Sequence, residues 1–109
     1  MHYVVHCIDR PGAVPDRLHH YEAHKAYLAT APARILVSGP LLAEDGVTMV
    51  GSFFLIEADD RGRVEAFNRN DPFRTAGIWA EVRIDRFLKR VDNRGQDRPA
   101  RSGVGRATG

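Results

Sequence analysis

His24 is the residue in this chain best placed to move a proton. It stands between Tyr21 and Leu28 at intervals of three and four, so on a helix it shares their face. An imidazole has an unperturbed pKa of about 6.5 and exchanges protons near neutral pH. It becomes a better base when a carboxylate fixes its tautomer and stabilises the imidazolium. Asp71, within Asn70-Asp71-Pro72-Phe73, is the candidate carboxylate. Each residue also has a plainer role. His24 reads as a partly buried core histidine, and Asp71 as a turn aspartate before proline. On local sequence alone the plainer role leads for both.

Other chemistry is weaker. Ser38-Gly39-Pro40 reads as a strand bend that presents Ser38 and a backbone N–H to a small ligand. Ser38 has no nucleophile-elbow motif, so a Ser38-His24-Asp71 triad is only a set of names without geometry. Tyr21, Phe73 and Trp79 are candidates to line a pocket or to fill the core. His20 and His24 are four apart, a spacing that suits joint metal ligation. The glutamate that directly follows the first histidine in zincins is replaced here by Tyr21, so no metal site is assigned. Cys7, the single cysteine, excludes an intrachain disulfide framework and reads as a small buried hydrophobe.

The elements that must position these residues follow from pattern. Tyr3, Val4, Val5, Cys7 and Ile8 make a first strand over 1–9, apolar enough for a centre covered on both faces. A helix spans 14–31, with Pro15 in its first turn and a stop at Thr30-Ala31-Pro32. A second strand covers 34–42, interrupted at Ser38-Gly39-Pro40 because a proline in a sheet belongs at an edge or a bulge. Glu44-Asp45-Gly46 marks a hairpin turn before a third strand over 51–58. Asp59 or Asp60 caps a short second helix through about Asn70. The last strand alternates Ile78, Ala80, Val82 and Ile84 against Trp79, Glu81, Arg83 and Asp85. The order β-α-β-β-α-β predicts an α+β, ferredoxin-like antiparallel sheet with both helices on one face. The other face also looks apolar, so a second copy is expected to cover it, sheet against sheet, in a homodimer.

At 109 residues, 43% hydrophobic and 28% charged, the chain has the size and composition of one small globular domain. The domain is placed at 1–90. The Gly/Arg-rich segment 91–109 is too poor in apolar residues to offset its ordering entropy and is expected to be disordered. Five arginines against two aspartates from residue 90 onward give that end +3. The whole chain is +2, which leaves −1 for residues 1–89. The body is therefore no basic nucleic-acid surface. The tail has no interleaved aromatics, so nucleic acid is not an expected partner. No apolar run reaches the roughly 18 residues needed to cross a bilayer, and no leader pattern is seen. The expected location is the cytoplasm.

Taken in order, several motifs resemble the YciI-like (YCII-related domain) family. They are a first strand ending in Asp9, the helix segment Glu22-Ala23-His24-Lys25-Ala26-Tyr27-Leu28, and Ile35-Leu36-Val37-Ser38-Gly39-Pro40-Leu41. Asn70-Asp71-Pro72-Phe73 and Ala76-Gly77-Ile78-Trp79 follow, and the likeness spans roughly residues 1–89. The resemblance implies a ferredoxin-like fold, a dimer of the dimeric α/β-barrel type, and a His-Asp site carried by His24 and Asp71. The Gly39-Pro40 region borders that site. One branch of the family acts as a dehydrochlorinase, and most members have no assigned substrate. The compact Thr30-Ala31-Pro32-Ala33 departs from the family pattern at the pocket rim.

Two functions follow as expectations. The first is a small cofactor-independent enzyme, a lyase or isomerase, in which Asp71 orients His24 and His24 transfers a proton on a small organic substrate, cyclic ones included. The second is a non-catalytic dimer that binds a small ligand in the same cleft.

Overall fold

The computed structural model describes residues 1–95. Its elements are β1 (His2–Asp9), α1 (Val14–Thr30), β2 (Arg34–Leu42), β3 (Met49–Glu57), α2 (Arg61–Arg69), α3 (Pro72–Thr75) and β4 (Trp79–Phe87). The strands form one antiparallel sheet in the order β2-β3-β1-β4. This is the ferredoxin-like arrangement expected from the sequence. The disorder expected for 91–109 falls mostly on 96–109, outside the described residues. No helix among the described residues is long and apolar enough to cross a membrane.

β1 lies in the interior of the sheet because its Tyr3, Val5 and Cys7 are all buried under the helices. They join Phe54 and Ile56 of β3, Val64 and Phe67 of α2, and Phe73 of α3 in one core. Burial pushes the Cys7 thiol up to about 12, which removes it as a nucleophile at neutral pH. Val4, Ile8, Phe53 and Leu55 alternate onto the opposite face, which no element among the described residues covers, and are only half-buried.

The helix ends follow their caps. Asp60 accepts a bond from the Arg63 N–H at the start of α2. α1 has no side-chain cap, but Pro15 and Asp16 occupy its first turn and extended Ala31 ends it before Pro32. The turn predicted at Asn70–Phe73 is in fact the start of the one-turn helix α3, capped by Asp71. Gly77 follows it with φ +73°, a conformation that glycine adopts without strain. In the β2–β3 hairpin, Asp45 accepts bonds from the N–H groups of Val47 and Thr48 and from the Thr48 hydroxyl. These bonds hold its carboxyl at about 2, with the Thr48 hydroxyl the largest cause.

Two expectations need correction. β2 is not interrupted at Ser38-Gly39-Pro40, since pairing continues from Gly39 with Phe53 and from Pro40 with Ser52. β2 is an edge strand, so the missing N–H of Pro40 breaks no ladder. The irregularities fall at Leu36 and near Leu42 instead. In β4 a bulge shifts the register opposite Ile8 and Asp9, so the alternation does not hold across Ala80. Trp79 turns inward and is buried, whereas Ala80 is exposed.

Gly51 is required by close approach rather than by φ. A Cβ there would lie 2.3 Å from the Cys7 carbonyl oxygen on the neighbouring strand. Backbone cannot yield as a side chain does. Gly51→Ala is therefore expected to destabilise the fold by about 2–3 kcal/mol, read as a lower urea midpoint. An unchanged midpoint would contradict this packing.

Candidate active site

A cavity of about 370 Å³ opens between α1 and the β2–β3 half of the sheet. The buried residues of α1 are Arg17 and His24, seven apart and so on one face. Leu18 and Tyr21, at helical spacing with His24, are exposed at the cavity's mouth.

Six residues singled out from the sequence, Tyr21, His24, Ser38, Gly39, Pro40 and Phe73, line this cavity. Trp79 does not. It stands behind the wall, edge-on to Phe54 at 6.2 Å and to Phe73 at 6.0 Å between ring centroids. The β4 bulge is what moves it there. Ser38 makes no hydrogen bond to His24 among the described residues. His20 packs edge-on against the His19 ring, with centroids 4.8 Å apart.

His24 and Asp71 do meet. His24 Nδ1 lies 2.9 Å from Asp71 Oδ1, although the two are 47 residues apart in the chain. The same Oδ1 accepts the Phe73 N–H at 2.8 Å, so one oxygen both caps α3 and holds the imidazole. Asp71 is fully buried, and its Oδ2 has no partner among the described residues. An ionised carboxylate only accepts, so with Asp71 ionised Nδ1 is the donor, and in the neutral imidazole Nε2 then keeps its lone pair. Nε2 makes no bond with the described residues, while His24 lines the cavity. The Phe73 ring fixes the imidazole plane by stacking on it, with centroids 3.9 Å apart and planes 4° from parallel. Tyr27 lies nearby and donates to the Phe67 carbonyl at 2.8 Å. Its phenol is pushed up first by burial and then by the negative charge of Asp71.

The sequence reading missed Arg17, Asp9 and Ser52. Arg17 is 3% exposed. Its Nε donates to Asp9 Oδ2 at 2.5 Å, and its Nη2 donates to Asp9 Oδ1 at 3.0 Å. Nη2 also donates to the Gly51 carbonyl and, at 2.8 Å, to Ser52 Oγ. The Arg17 guanidinium carbon sits 5.0 Å from the centre of the Phe73 ring. One signal could have found it, because a charge seven residues before His24 lies on the same inward face as the histidine.

Asp71→Ala removes both the cap and the partner of His24, whereas Asp71→Asn keeps an oxygen for the Phe73 N–H. The alanine variant is expected to be about 1 kcal/mol less stable than the asparagine variant in urea denaturation. Equal midpoints would contradict the capping role.

Comparison with known proteins bears on the family and the fold. A dehydrochlorinase for 5-chloro-2-hydroxyhydroquinone from Burkholderia phenoliruptrix, solved with 2,5-dihydroxybenzoquinone, is similar at 38% identity and a TM-score of 0.73. The likeness covers 81% of this chain and 94% of that one. A Pseudomonas aeruginosa protein shares the fold at 12% identity and a TM-score of 0.50, over 83% of this chain and 93% of its own. No curated protein matches. The YCII-related domain matches residues 1–88, nearly all of the described chain, and the protein therefore belongs to the YCII-related domain family.

Proposed function

We propose that the chain is a small cofactor-independent enzyme of the lyase or isomerase type, acting on a small organic molecule, cyclic ones included, in the cytoplasm. The observation that carries this reading is the buried Nδ1–Oδ1 contact of 2.9 Å at the wall of a cavity. The dehydrochlorinase at 38% identity supports the reaction class.

In this reading the substrate enters between Tyr21 and the Ser38–Pro40 segment, with its ring against the apolar wall of Phe54 and Phe73. Nε2 of His24 takes a proton from a hydroxyl, or from a carbon next to a carbonyl. The C–H or O–H electrons form the new double bond. In an elimination the bond to the leaving group breaks and takes its electron pair, and in an isomerisation the proton returns at another carbon. Asp71 keeps Nδ1 protonated, holds the ring in plane and stabilises the imidazolium while it lasts. Tyr21, Ser38, Gly39, Pro40 and Phe73 shape the site, and Trp79 supports it from behind.

The test is turnover of 5-chloro-2-hydroxyhydroquinone, followed by chloride release. His24→Ala is expected to lower kcat/KM by about 10²–10⁴-fold. Asp71→Asn is expected to lower it too, through kcat rather than KM, with the fold intact by circular dichroism. Full activity in both variants would rule out the assignment. Binding of 2,5-dihydroxybenzoquinone without turnover of the chlorinated compound by the unmodified chain would favour a non-catalytic ligand-binding protein.

The homodimer belongs to the same proposal. The uncovered sheet face carries Val4, Ile8, Phe53 and Leu55, and a second copy laid sheet to sheet would bury them. Leu55→Asp is expected to shift sedimentation from dimer to monomer. A monomeric unmodified chain at micromolar concentration would refute the dimer.

A further inference from the structure

Arg17 is a costly residue to bury, and its surroundings show where it is and is not satisfied. Asp9 takes Nε and one N–H of Nη2, while the Gly51 carbonyl and Ser52 Oγ take up the rest of Nη2. These bonds fix the guanidinium plane. Nη1 is left over. It makes no hydrogen bond with the described residues, and it is not sealed away as Asp71 Oδ2 and Trp79 Nε1 are. Arg17 lines the cavity, and Nη1 is the end of its guanidinium that keeps two donors free of the described residues.

The charge pattern of the cavity points the same way. Among the described residues that line it there is no carboxylate, but there are Arg17, Lys25 and His24. Both acids of the site, Asp9 and Asp71, stand behind the residue they hold. Lys25 is drawn off toward Glu22 at 3.2 Å and lies over the Tyr21 ring at 4.7 Å. It is half-exposed, whereas Arg17 is immobilised. Phe73 then sets the spacing. His24 stacks on its ring at 3.9 Å and the Arg17 guanidinium carbon lies 5.0 Å from the same centroid. The two side chains start seven residues apart on α1, about 10.5 Å along its axis.

We propose that Arg17 is the group by which this cavity recognises an ionised oxygen on a flat small molecule, such as an enolate, phenolate or carboxylate. Nη1 donates to that oxygen and so sets the ligand at a fixed distance from Nε2 of His24. The role of Asp9 is to hold the guanidinium plane and to moderate its charge. A site for neutral apolar ligands would need no buried arginine with donors left over. This rests on the cavity being a ligand site, as proposed above, but not on His24 acting as a base.

The experiment uses the full chain and 4-nitrophenol, whose phenol and phenolate forms absorb at different wavelengths. Spectra across a pH series give the affinity for each form without any turnover. The unmodified chain is expected to bind the phenolate about tenfold tighter than the phenol, as a charge-assisted hydrogen bond would give. Arg17→Met should bring the two affinities together. Arg17→Lys should keep part of the preference, because it retains charge without the fixed fork. Asp9→Asn leaves Arg17 in place and less neutralised, so the preference should rise. That variant decides the matter if Arg17→Met does not fold. A merely structural Arg17–Asp9 pair predicts a fall or no change in Asp9→Asn. That result, an undiminished preference in folded Arg17→Met, or no saturable phenolate binding to the unmodified chain, would overturn the proposal. Loss of turnover in His24→Ala bears on the base and leaves this result standing, so the two assignments fail separately.

Discussion

A single oxygen, Oδ1 of Asp71, ties the helical layer to the chemistry. It accepts from the Phe73 N–H and from His24 Nδ1 at once. The first bond starts α3 and aims Phe73 into the core. The second fixes the imidazole on which that ring then stacks. The geometry is closed on itself, since the residue that caps the helix also holds the histidine the helix packs against. A carboxylate with no exposed surface would be costly to keep ionised without such donors. The burial that raises this cost also keeps water from competing for Nδ1–H, so the imidazole keeps one tautomer.

The second buried acid repeats the device at the other end of the cavity. Asp9 is the last residue of β1, beside the β4 bulge that turns Trp79 inward. It pairs with Arg17 through two hydrogen bonds. Breaking a buried pair of this kind typically costs about 3–5 kcal/mol, because one charge is left without compensation. The two acid–base pairs sit on opposite sides of Phe73, and both bases come from α1 while both acids come from junctions. The helix therefore cannot slide along its axis without straining both pairs. That constraint fixes the distance between the two functional side chains more firmly than apolar packing alone would.

Much of this was legible in the sequence, and the reasons are local. The apolar runs of β1 and β3, the Asp45-Gly46 turn and the proline after α1 each act within a few residues, so pattern reading located every main element. His24 and Asp71 were readable as candidates, and chain order within this fold made their meeting feasible. What the sequence did not reveal arises from pairing between distant segments. The bulge opposite Ile8 and Asp9 depends on how β1 and β4 meet, and it alone reverses Trp79. The path of β2 through Pro40 depends on its being an edge strand. Leu18 and Tyr21 obey helical periodicity but face an open cavity, which periodicity reads as core. Arg17 was passed over because a charged residue on an inward face looks like an error in the pattern until its partner is known.

The same division explains how the site can keep its chemistry while its rim differs. Arg17, His24, Asp9 and Asp71 are anchored by buried bonds to backbone or to each other, with Phe73 between the two bases. The opposite rim is made of Leu18 and Tyr21 on the exposed shoulder of α1 and Ser38, Gly39 and Pro40 on an edge strand. None of these five belongs to the buried core. A change there alters the shape that a ligand meets without unpairing a buried charge. Proton transfer and anion recognition are thus properties of the rigid wall, and discrimination among ring substituents falls to the exposed one. The compact Thr30-Ala31-Pro32-Ala33 link, which joins α1 to β2, bears on that exposed side by setting where the edge strand begins relative to the helix.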